Sequence, residues 1–359
     1  MNPAFSIDKN RCRNFWDGEE TDRPLVSFWV GSFSIPDLYP ISMTAIQDGN
    51  LDPENLPFED LLQDIDHLFK INNDSGSDMP WSAFPSMTIP WLEGIIGCPI
   101  IKRGNNIWAD PIDLPLEEFL NKPIRLNENK WLHKLLAFTD RLVALADKRF
   151  PVSVSLLRGP SDLLSAMRTP SRMCLDLYDN PDLIMQVLEK LTKIWIEVAH
   201  MQMERIPPYL GGYSFGQIYL WAPRQCAWFQ DDALALISPV HYRQFLLPYE
   251  KQIARSIPVS GIHLHPRSLF VVDDLIEIPE LDVIEINYEA AGPSLSGLLN
   301  IFKKVTAKKR LVIWGDFDHN DIIFLKKNLS ERNLCLQVNV PSSKTAFEKL
   351  EMIVDVWND

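Results

Sequence analysis

The final third of the chain alternates regularly between two hydrophobic patterns. Short apolar runs typical of buried strands occur as GIHLH, LDVIEINY, KRLVIWGDF and LCLQVNV. Segments with helical spacing separate and follow these runs, around residues 266–277, 293–307, 319–331 and 343–357. Because a helix between two strands allows both strands to run in the same direction, this alternation predicts a parallel sheet covered by helices.

The preceding residues extend the same alternation toward the N-terminus. DRPLVSFWVGSF predicts the first strand, and further strands are expected in PVSVSLLRGP and GGYSFGQIYLW. The predicted helices cover 59–71 and 131–148, one opens with Ser161 as its N-cap, one has Pro181 in its first turn, and one opens at Ser238.

The series of seven or eight strands favours a closed sheet. An open dinucleotide-binding sheet would carry GxGxxG after its first strand, and this chain has no such motif there. The sequence therefore predicts an α/β fold, a single (β/α)8 TIM barrel over residues 1–359. Residues 31–130, rich in proline and aromatic residues, are predicted to form an irregular, loop-rich N-terminal elaboration. Its stretch from Trp81 to Trp91 either packs internally or covers a ligand.

Charge and cysteine content argue against several classes of partner. Asp and Glu outnumber Lys and Arg by 48 to 35, for a net charge of -13, so the field repels nucleic acid. The five cysteines are scattered and contain no CxxC pair, which fits a reducing compartment. No apolar signal segment and no run of about 20 apolar residues occurs. We therefore expect a cytoplasmic protein without a membrane span.

Two histidines near the end of a predicted strand are the sharpest local feature. His263 and His265 stand two apart in GIHLHP, so in a strand both side chains project from one face. Active sites of (β/α)8 barrels lie at the carboxyl ends of the strands. Imidazole binds zinc, iron or nickel and also transfers protons near neutral pH. The pair is therefore predicted to act in catalysis, as metal ligands or as a proton-transfer pair.

Polar residues also end the next two strands. Glu285 and Asn287 stand two apart in VIEINY, and Asp316 and Asp318 follow VIWG. Because parallel strands bring their carboxyl ends to one rim, Glu285 and Asp316 are predicted catalytic groups. Either could be the third ligand of a divalent metal, and Asn287 is a predicted substrate contact. Alternatively, Glu285 pairs with Arg267, and Asp318 caps the following helix.

Weaker candidates come from earlier strands. Arg158 ends PVSVSLLR, where its planar fork could bind a substrate carboxylate or pair with Asp162. Tyr213 and Trp221 either line the substrate pocket or pack internally. The acids of FQDD either cap a helix or stand on the rim.

Several stretches between residues 130 and 359 resemble, in order and spacing, the uroporphyrinogen decarboxylase-like superfamily. They are PVSVSLLRGPSDLLSAMR, LYDNPDLIMQVLEKLTKIWIEVAHMQME, QDDALALISPVHYRQFLLPYEKQIARSI, and GIHLHP with the VIEINYE and VIWGDFD strands after it. The resemblance implies a (β/α)8 barrel. It also implies either decarboxylation, as in the haem-pathway enzyme, or methyl transfer, as in zinc-dependent enzymes that act with corrinoid proteins.

The sequence departs from both branches of the superfamily. The decarboxylase pattern implies arginines after an N-terminal proline, and none occurs in PLVSFWVGSF. The methyltransferase pattern implies a His-x-Cys pair and a later cysteine as zinc ligands. His263 matches the histidine of that pattern, His265 stands in place of the cysteine, and Cys335 is an alternative third ligand.

The function predicted from these observations is metal-assisted methyl transfer. The predicted metal is zinc, held by His263, His265 and Glu285 or, in place of Glu285, by Asp316 or Cys335. A corrinoid from a partner protein is the cofactor that the resemblance implies. The alternatives are a metal-free decarboxylase or lyase with Arg158 as carboxylate anchor, and a non-catalytic protein that binds a corrinoid or tetrapyrrole.

Overall fold

A computed structural model describes residues 8–358 and shows a mixed α/β protein. Its strands are β1 (Leu25–Val30), β2 (Gly49–Asn50), β3 (Ile100–Arg103), β4 (Asn106–Ala109), β5 (Leu157–Arg158), β6 (Tyr213–Phe215), β7 (Leu220–Ala222), β8 (Cys226–Gln230), β9 (Val259–Leu264), β10 (Leu281–Tyr288), β11 (Arg310–Gly315) and β12 (Leu334–Val340).

The helices cover the sheet and occupy most of the remaining chain. They are α1 (Lys9–Asp17), α2 (Ile35–Leu38), α3 (Pro40–Ala45), α4 (Phe58–Asn72), α5 (Trp91–Ile96), α6 (Leu116–Asn121), α7 (Lys130–Ala146), α8 (Pro160–Arg168), α9 (Pro170–Asp179), α10 (Pro181–Met203), α11 (Pro239–His241), α12 (Leu247–Ser256), α13 (Val272–Leu275), α14 (Leu295–Thr306), α15 (His319–Asn328) and α16 (Ser343–Asn358). Within residues 8–358, no helix has the length and hydrophobicity that crossing a membrane requires.

The central sheet contains seven strands in the order β1-β12-β11-β10-β9-β8-β5. All its neighbouring strands are parallel, and β9, β11 and β12 are buried along nearly their whole length. Burial on both faces explains why these strands are continuous apolar runs in the sequence. The parallel sheet predicted from the alternating pattern is confirmed.

The two edge strands of the central sheet, β1 and β5, are joined by contacts through an irregular segment. The backbone N–H of Asp78 donates to the Val26 carbonyl at 2.9 Å, and Ala83 forms a parallel bridge with Val152. The Ser153 N–H completes this bridge by donating to the Ala83 carbonyl at 2.8 Å. The arrangement is compatible with a barrel.

Residues 31–130 contain more regular structure than the sequence predicted. Five helices lie there, α2 to α6, together with the antiparallel sheet β2-β3-β4. The helix α4 follows its predicted pattern, because Leu61, Leu62, Ile65 and Leu68 form its buried stripe. The division of the chain into domains stays a prediction.

The structure also corrects the predicted strand in GGYSFGQIYLW. This segment is a two-stranded antiparallel hairpin, β6 and β7, and the neighbouring sheet strand is β8. The chain reverses between Gly216 and Tyr219, whose N–H donates back to the Gly216 carbonyl at 3.2 Å. A side chain at Gly216 would lie 2.8 Å from the Ser153 hydroxyl, so the close packing of the turn against Ser153 favours glycine there.

The first turn of α8 differs from its prediction as well. Gly159 is the N-cap and Pro160 is the first helical residue, so Ser161 lies inside the helix. The N–H and hydroxyl of Ser161 donate to Asp231 Oδ1 at 2.7 and 2.6 Å. A carboxylate from a distant loop therefore satisfies the donors that a local cap would otherwise satisfy.

Candidate metal centre and the cavity beside it

The two histidines lie together at the carboxyl end of β9. His263 is buried within the strand, and His265 is partly exposed directly after it. Strand alternation turns both side chains to the same side, as the sequence predicted. Their Nε2 atoms are 3.0 Å apart.

Each histidine is bound through its other ring nitrogen to a carboxylate. Glu285 lies beside His263 in the register of β9 and β10, and its Oε2 contacts His263 Nδ1. Glu289, which follows β10, contacts His265 Nδ1 through Oε1. A carboxylate at Nδ1 favours the tautomer that carries its hydrogen there, because an ionised carboxylate only accepts. Both Nε2 atoms are then left as acceptors.

Asp232 supplies a third ligand atom on the same side. Its Oδ1 lies 3.4 Å from His265 Nε2, and one ligand atom each from Asp232, His263 and His265 lies within 4.8 Å of the others. Asp232 comes shortly after β8, which runs alongside β9. The side-chain amide of Gln230 donates to Asp232 Oδ2 and holds the carboxylate in this position.

Two buried carboxylates hold the loop that carries Asp232. Asp231 accepts the Ser161 donors, and Asp162 Oδ1 accepts the Ala233 N–H at 2.7 Å. Burial, assisted by the charge of Asp232, raises the pKa of Asp162 to about 7. Burial also raises the pKa of Asp231 above its ordinary range. Asp231 within the loop and Asp162 in α8 therefore both have a structural role, because their hydrogen bonds hold the backbone around Asp232.

The carboxylate of Glu285 sets the charge state of His263. Burial acts to lower the pKa of His263, but attraction and hydrogen bonding to Glu285 outweigh it and raise the pKa. Glu285 itself is fully buried, and its Oε1 has no hydrogen-bond partner among residues 8–358. The Glu285 carboxylate therefore favours a positive charge at His263, either that of the protonated ring or that of a bound cation.

A cavity of about 600 Å³ opens beside His263. Its polar lining includes Glu93, Arg158, Gln217, Gln230, Asn287, Glu289, Asp316 and Asn339. Its aromatic lining consists of Phe33, Trp91, Tyr288 and Trp314. This volume is in the usual range for small-molecule sites.

Four residues predicted from the sequence line this cavity together. They are His263, Asn287 and Asp316 at the ends of β9, β10 and β11, and Arg158 at the end of β5. The alternative in which Arg158 pairs with Asp162 is replaced by a contact with Glu93, whose Oε1 lies 3.3 Å from Arg158 Nε. Asp318 caps α15 in a capping box with Asp321, as the alternative interpretation expected.

The other predicted ligands lie apart from the group of three. Glu285 contacts Nδ1 of His263, so it stands on the ring edge opposite Nε2, and it does not pair with Arg267. Asp316 lines the cavity but is absent from the group, whose members come from residues 8–358. Cys335 is fully buried beside Ser27, and burial raises the pKa of its thiol far above the ordinary range.

Tyr213 and Trp221 lie in the hairpin rather than in the described lining of the cavity. Trp221 is buried and packs closely on Gly212, where an added side chain would lie 2.3 Å from the indole. Gln217, from the turn of the same hairpin, does line the cavity.

Two residues of the centre were not singled out in the sequence. For Asp232 the sequence leaves open a helix cap or a place on the rim, and the structure places it on the rim; Glu289 is not among the sequence-predicted residues. Their signal is that each acid lies within two residues of the end of a sheet strand, where a parallel sheet delivers functional groups.

Comparison with known proteins supports the fold only. No protein-family model matches the chain, and no curated protein sequence matches it. The structure of a methyltransferase from Methanosarcina mazei aligns over 98% of both chains with a TM-score of 0.64 and 16% identity. Dihydrodipicolinate synthase from Oceanobacillus iheyensis aligns over 74% of this chain and 67% of its own, with a TM-score of 0.33 and 11% identity. A protein from Aquifex aeolicus VF5 aligns over 97% and 95%, with a TM-score of 0.31 and 13% identity. The first of these has a methyltransferase-like fold in common with this chain.

Proposed function

We propose that this protein is a methyltransferase that uses a divalent metal, built as one (β/α)8 barrel. The metal would be held by Asp232, His263 and His265. The fold likeness to a solved methyltransferase agrees with this proposal but does not carry it. The proposal rests on the geometry of the two imidazoles.

The observation that carries the proposal is the approach of two Nε2 atoms to 3.0 Å. Both Nδ1 atoms face carboxylates, so both Nε2 atoms present lone pairs to one another. Two such lone pairs repel unless a proton or a cation stands near both. The Asp232 oxygen at 3.4 Å adds negative charge to the same place and favours a cation.

The donor set also suits a catalytic zinc site. Two imidazoles and one carboxylate are a known zinc ligand set, which leaves a coordination position for water or substrate. Glu285 and Glu289 would position the imidazoles, and Gln230 would position Asp232. When bound, zinc would lower the pKa of an acceptor thiol, so that the thiolate is available as a nucleophile near neutral pH.

A second candidate is an acid-base lyase without metal, because a proton held between the imidazoles relieves the same repulsion. The raised pKa of His263 favours that reading. Its predicted carboxylate anchor, Arg158, is already in contact with the buried acid Glu93. The corrinoid partner implied by the sequence resemblance stays a prediction for either candidate.

Metal analysis of the purified protein tests the proposal. We expect close to one zinc per chain in the wild type after loading and desalting, and loss of that zinc in a His263→Ala, His265→Ala variant. His67→Ala is the matched control, because His67 is exposed and has no assigned contact. A His265→Asn variant and circular dichroism check that zinc loss does not reflect unfolding.

Absence of zinc uptake by the folded wild type contradicts the metal site and leaves the proton-transfer pair. If zinc binds, the next measurement is mass spectrometry of small thiols incubated with the loaded protein and methylated donors. Methylated thiol that forms with wild type and not with the double variant supports methyl transfer. No methylated thiol with any donor class, a methylated corrinoid included, contradicts it.

A further inference from the structure

The cavity beside His263 has an excess of negative charge. Apart from His263, its charged lining among residues 8–358 consists of Glu93, Arg158, Glu289 and Asp316. Arg158 is the single permanent cation, and Glu93 lies next to it. The Asp316 side chain is 80% exposed, and its nearest cation, Lys349, is 3.9 Å away. A carboxylated substrate would meet repulsion here, whereas a cationic one would be attracted.

A divalent metal does not reverse this balance. Asp232, Glu285 and Glu289 surround the two imidazoles and together carry three formal negative charges. Two positive charges from the metal leave that group with a net negative charge. The protein as a whole, with a net charge of -13, also attracts cations toward its surface.

Within residues 8–358, Glu93 keeps one carboxylate oxygen without a hydrogen bond, although Arg158 forms an ion pair with it. Its side chain is only 2% exposed, it lines the cavity, and its Oε1 has no hydrogen-bond partner among the described residues. Arg158 Nε lies 3.3 Å from this oxygen without forming a hydrogen bond to it. Burial of an unsatisfied carboxylate oxygen is unfavourable. A cationic ligand in the cavity would stabilise it.

Aromatic rings also line the cavity. Phe33 is 45% exposed and stacks on Trp29 with ring centroids 4.9 Å apart. Trp314 lies 5.7 Å from Phe33, and Tyr288 stacks on Phe317 at 5.7 Å. These contacts hold the lining rings at fixed angles. Aromatic faces beside carboxylates attract cations whose charge is covered by methyl groups, because such cations are weakly hydrated.

We propose that the cavity binds a methylated onium cation, a quaternary ammonium or a sulfonium, as the methyl donor. The role as donor rests on the proposed methyl transfer, whereas binding of the cation does not. In the reaction a lone pair of the acceptor thiolate forms a bond to the methyl carbon. The carbon–nitrogen or carbon–sulfur bond breaks, and its electron pair stays on the leaving atom, which becomes neutral. The thiol proton passes to solvent.

Loss of the positive charge distinguishes product from substrate. Phe33, Asp316 and Glu93 attract the cation, but they attract the neutral amine or thioether less strongly. The cavity therefore favours release of a thioether product, which stays neutral, more than that of an amine, which takes up a proton near neutral pH.

Isothermal titration with choline and its neutral isostere, 3,3-dimethylbutan-1-ol, tests the binding. The two probes have the same shape and differ in charge. We expect choline to bind at least about tenfold more tightly to the wild type, and this preference to fall severalfold in Phe33→Leu and in Asp316→Asn. Phe347→Leu and Asp355→Asn are matched controls, since both residues are exposed in α16 and lie outside the described lining. Repeating the titration with tetramethylammonium and trimethylsulfonium tells which onium is preferred.

Equal affinity for choline and its isostere in the folded wild type overturns the proposal, as does an unchanged preference in both cavity variants. The His263→Ala, His265→Ala variant separates this proposal from the metal-dependent function. We expect the preference for choline to persist in that variant even though it no longer binds zinc. A preference that persists in a wild type unable to bind zinc supports the cation site while the proposed function fails.

Discussion

Replacing Glu285 with glutamine removes a negative charge from the side of His263 that faces away from the proposed metal. The shape of the side chain is nearly unchanged, so the surrounding core of β9 and β10 is not disturbed. Two effects then act on His263. The amide oxygen accepts the Nδ1 hydrogen less strongly than a carboxylate does, and the amide N–H can instead donate to Nδ1 and move the ring hydrogen to Nε2. Both effects weaken metal binding through Nε2.

The expected loss is between tenfold and a hundredfold in zinc affinity, the usual range for carboxylates that position a ligating histidine. It corresponds to about 1.4 to 2.7 kcal/mol of binding free energy. We expect the effect near the upper end, because Glu285 is fully buried and water cannot replace its hydrogen bond to His263.

The same loss is visible in thermal stability. At free zinc one hundred times the wild-type dissociation constant, binding stabilises the wild type by about 2.7 kcal/mol. At that concentration the Glu285→Gln variant gains only about 1.4 to 0.4 kcal/mol. Competition with a chromogenic chelator gives the dissociation constants, and each protein's metal-free melting temperature gives its own baseline.

Glu277→Gln is the control for this experiment. Glu277 is an exposed acid shortly before β10, and it pairs with Lys308. A zinc affinity of Glu285→Gln within twofold of the wild type, with Glu277→Gln also unchanged, refutes the assignment of Glu285 as a positioning residue. It also removes the argument that both Nε2 atoms are free to accept.

Two further predictions concern stability. Burial raises the pKa of Glu250 from 4.5 to about 7, because the folded protein prefers the protonated carboxyl. The contribution of Glu250 to the free energy of unfolding is therefore fully present below pH 4.5 and is lost as the pH rises through about 7. The difference between the two pKa values corresponds to roughly 3 kcal/mol of unfolding free energy. In urea denaturation between pH 5 and 8, the unfolding free energy of Glu250→Gln should depend less on pH than that of the wild type. Equal slopes for the two proteins contradict this reasoning. Asp318→Ala should lower the free energy of unfolding by about 1 kcal/mol, since it removes the cap of α15, and Asp355→Ala should leave that free energy nearly unchanged.

The elements that the sequence predicted best are those with long local periodicity. The final strands and helices lie within a few residues of their predicted bounds, and α4, α7 and α10 follow their apolar stripes. The pairing of His263 with His265 could be predicted for the same reason, because two residues in one strand need only its alternation to share a face.

The predicted strands that were wrong or too long depend on contacts with residues that are distant in the sequence. GGYSFGQIYLW has strand-like composition, but its turn and the packing of Trp221 on Gly212 make it a hairpin. PVSVSLLR yields only the two-residue strand β5, because its earlier part meets Ala83 through an isolated bridge. Composition alone does not show which neighbour a short apolar run will meet.

The partners within the site were decided by tertiary structure. Glu93 reaches Arg158 across 65 positions of sequence, and Glu285 reaches His263 across the ladder of β9 and β10. A carboxylate in a strand has the same local signature whether it binds a metal or holds a histidine.

The alternation of strands and helices and the delivery of His263 and His265 to one rim could be predicted without the structure. These follow from local backbone geometry, which repeats every two residues in a strand and every 3.6 in a helix. The folded structure was needed to show that Asp232 joins the histidines, that Glu285 stands behind one of them and that the cavity is acidic. Those facts depend on distances between residues that are far apart in the chain, and such distances are set by how the sheet and its loops pack.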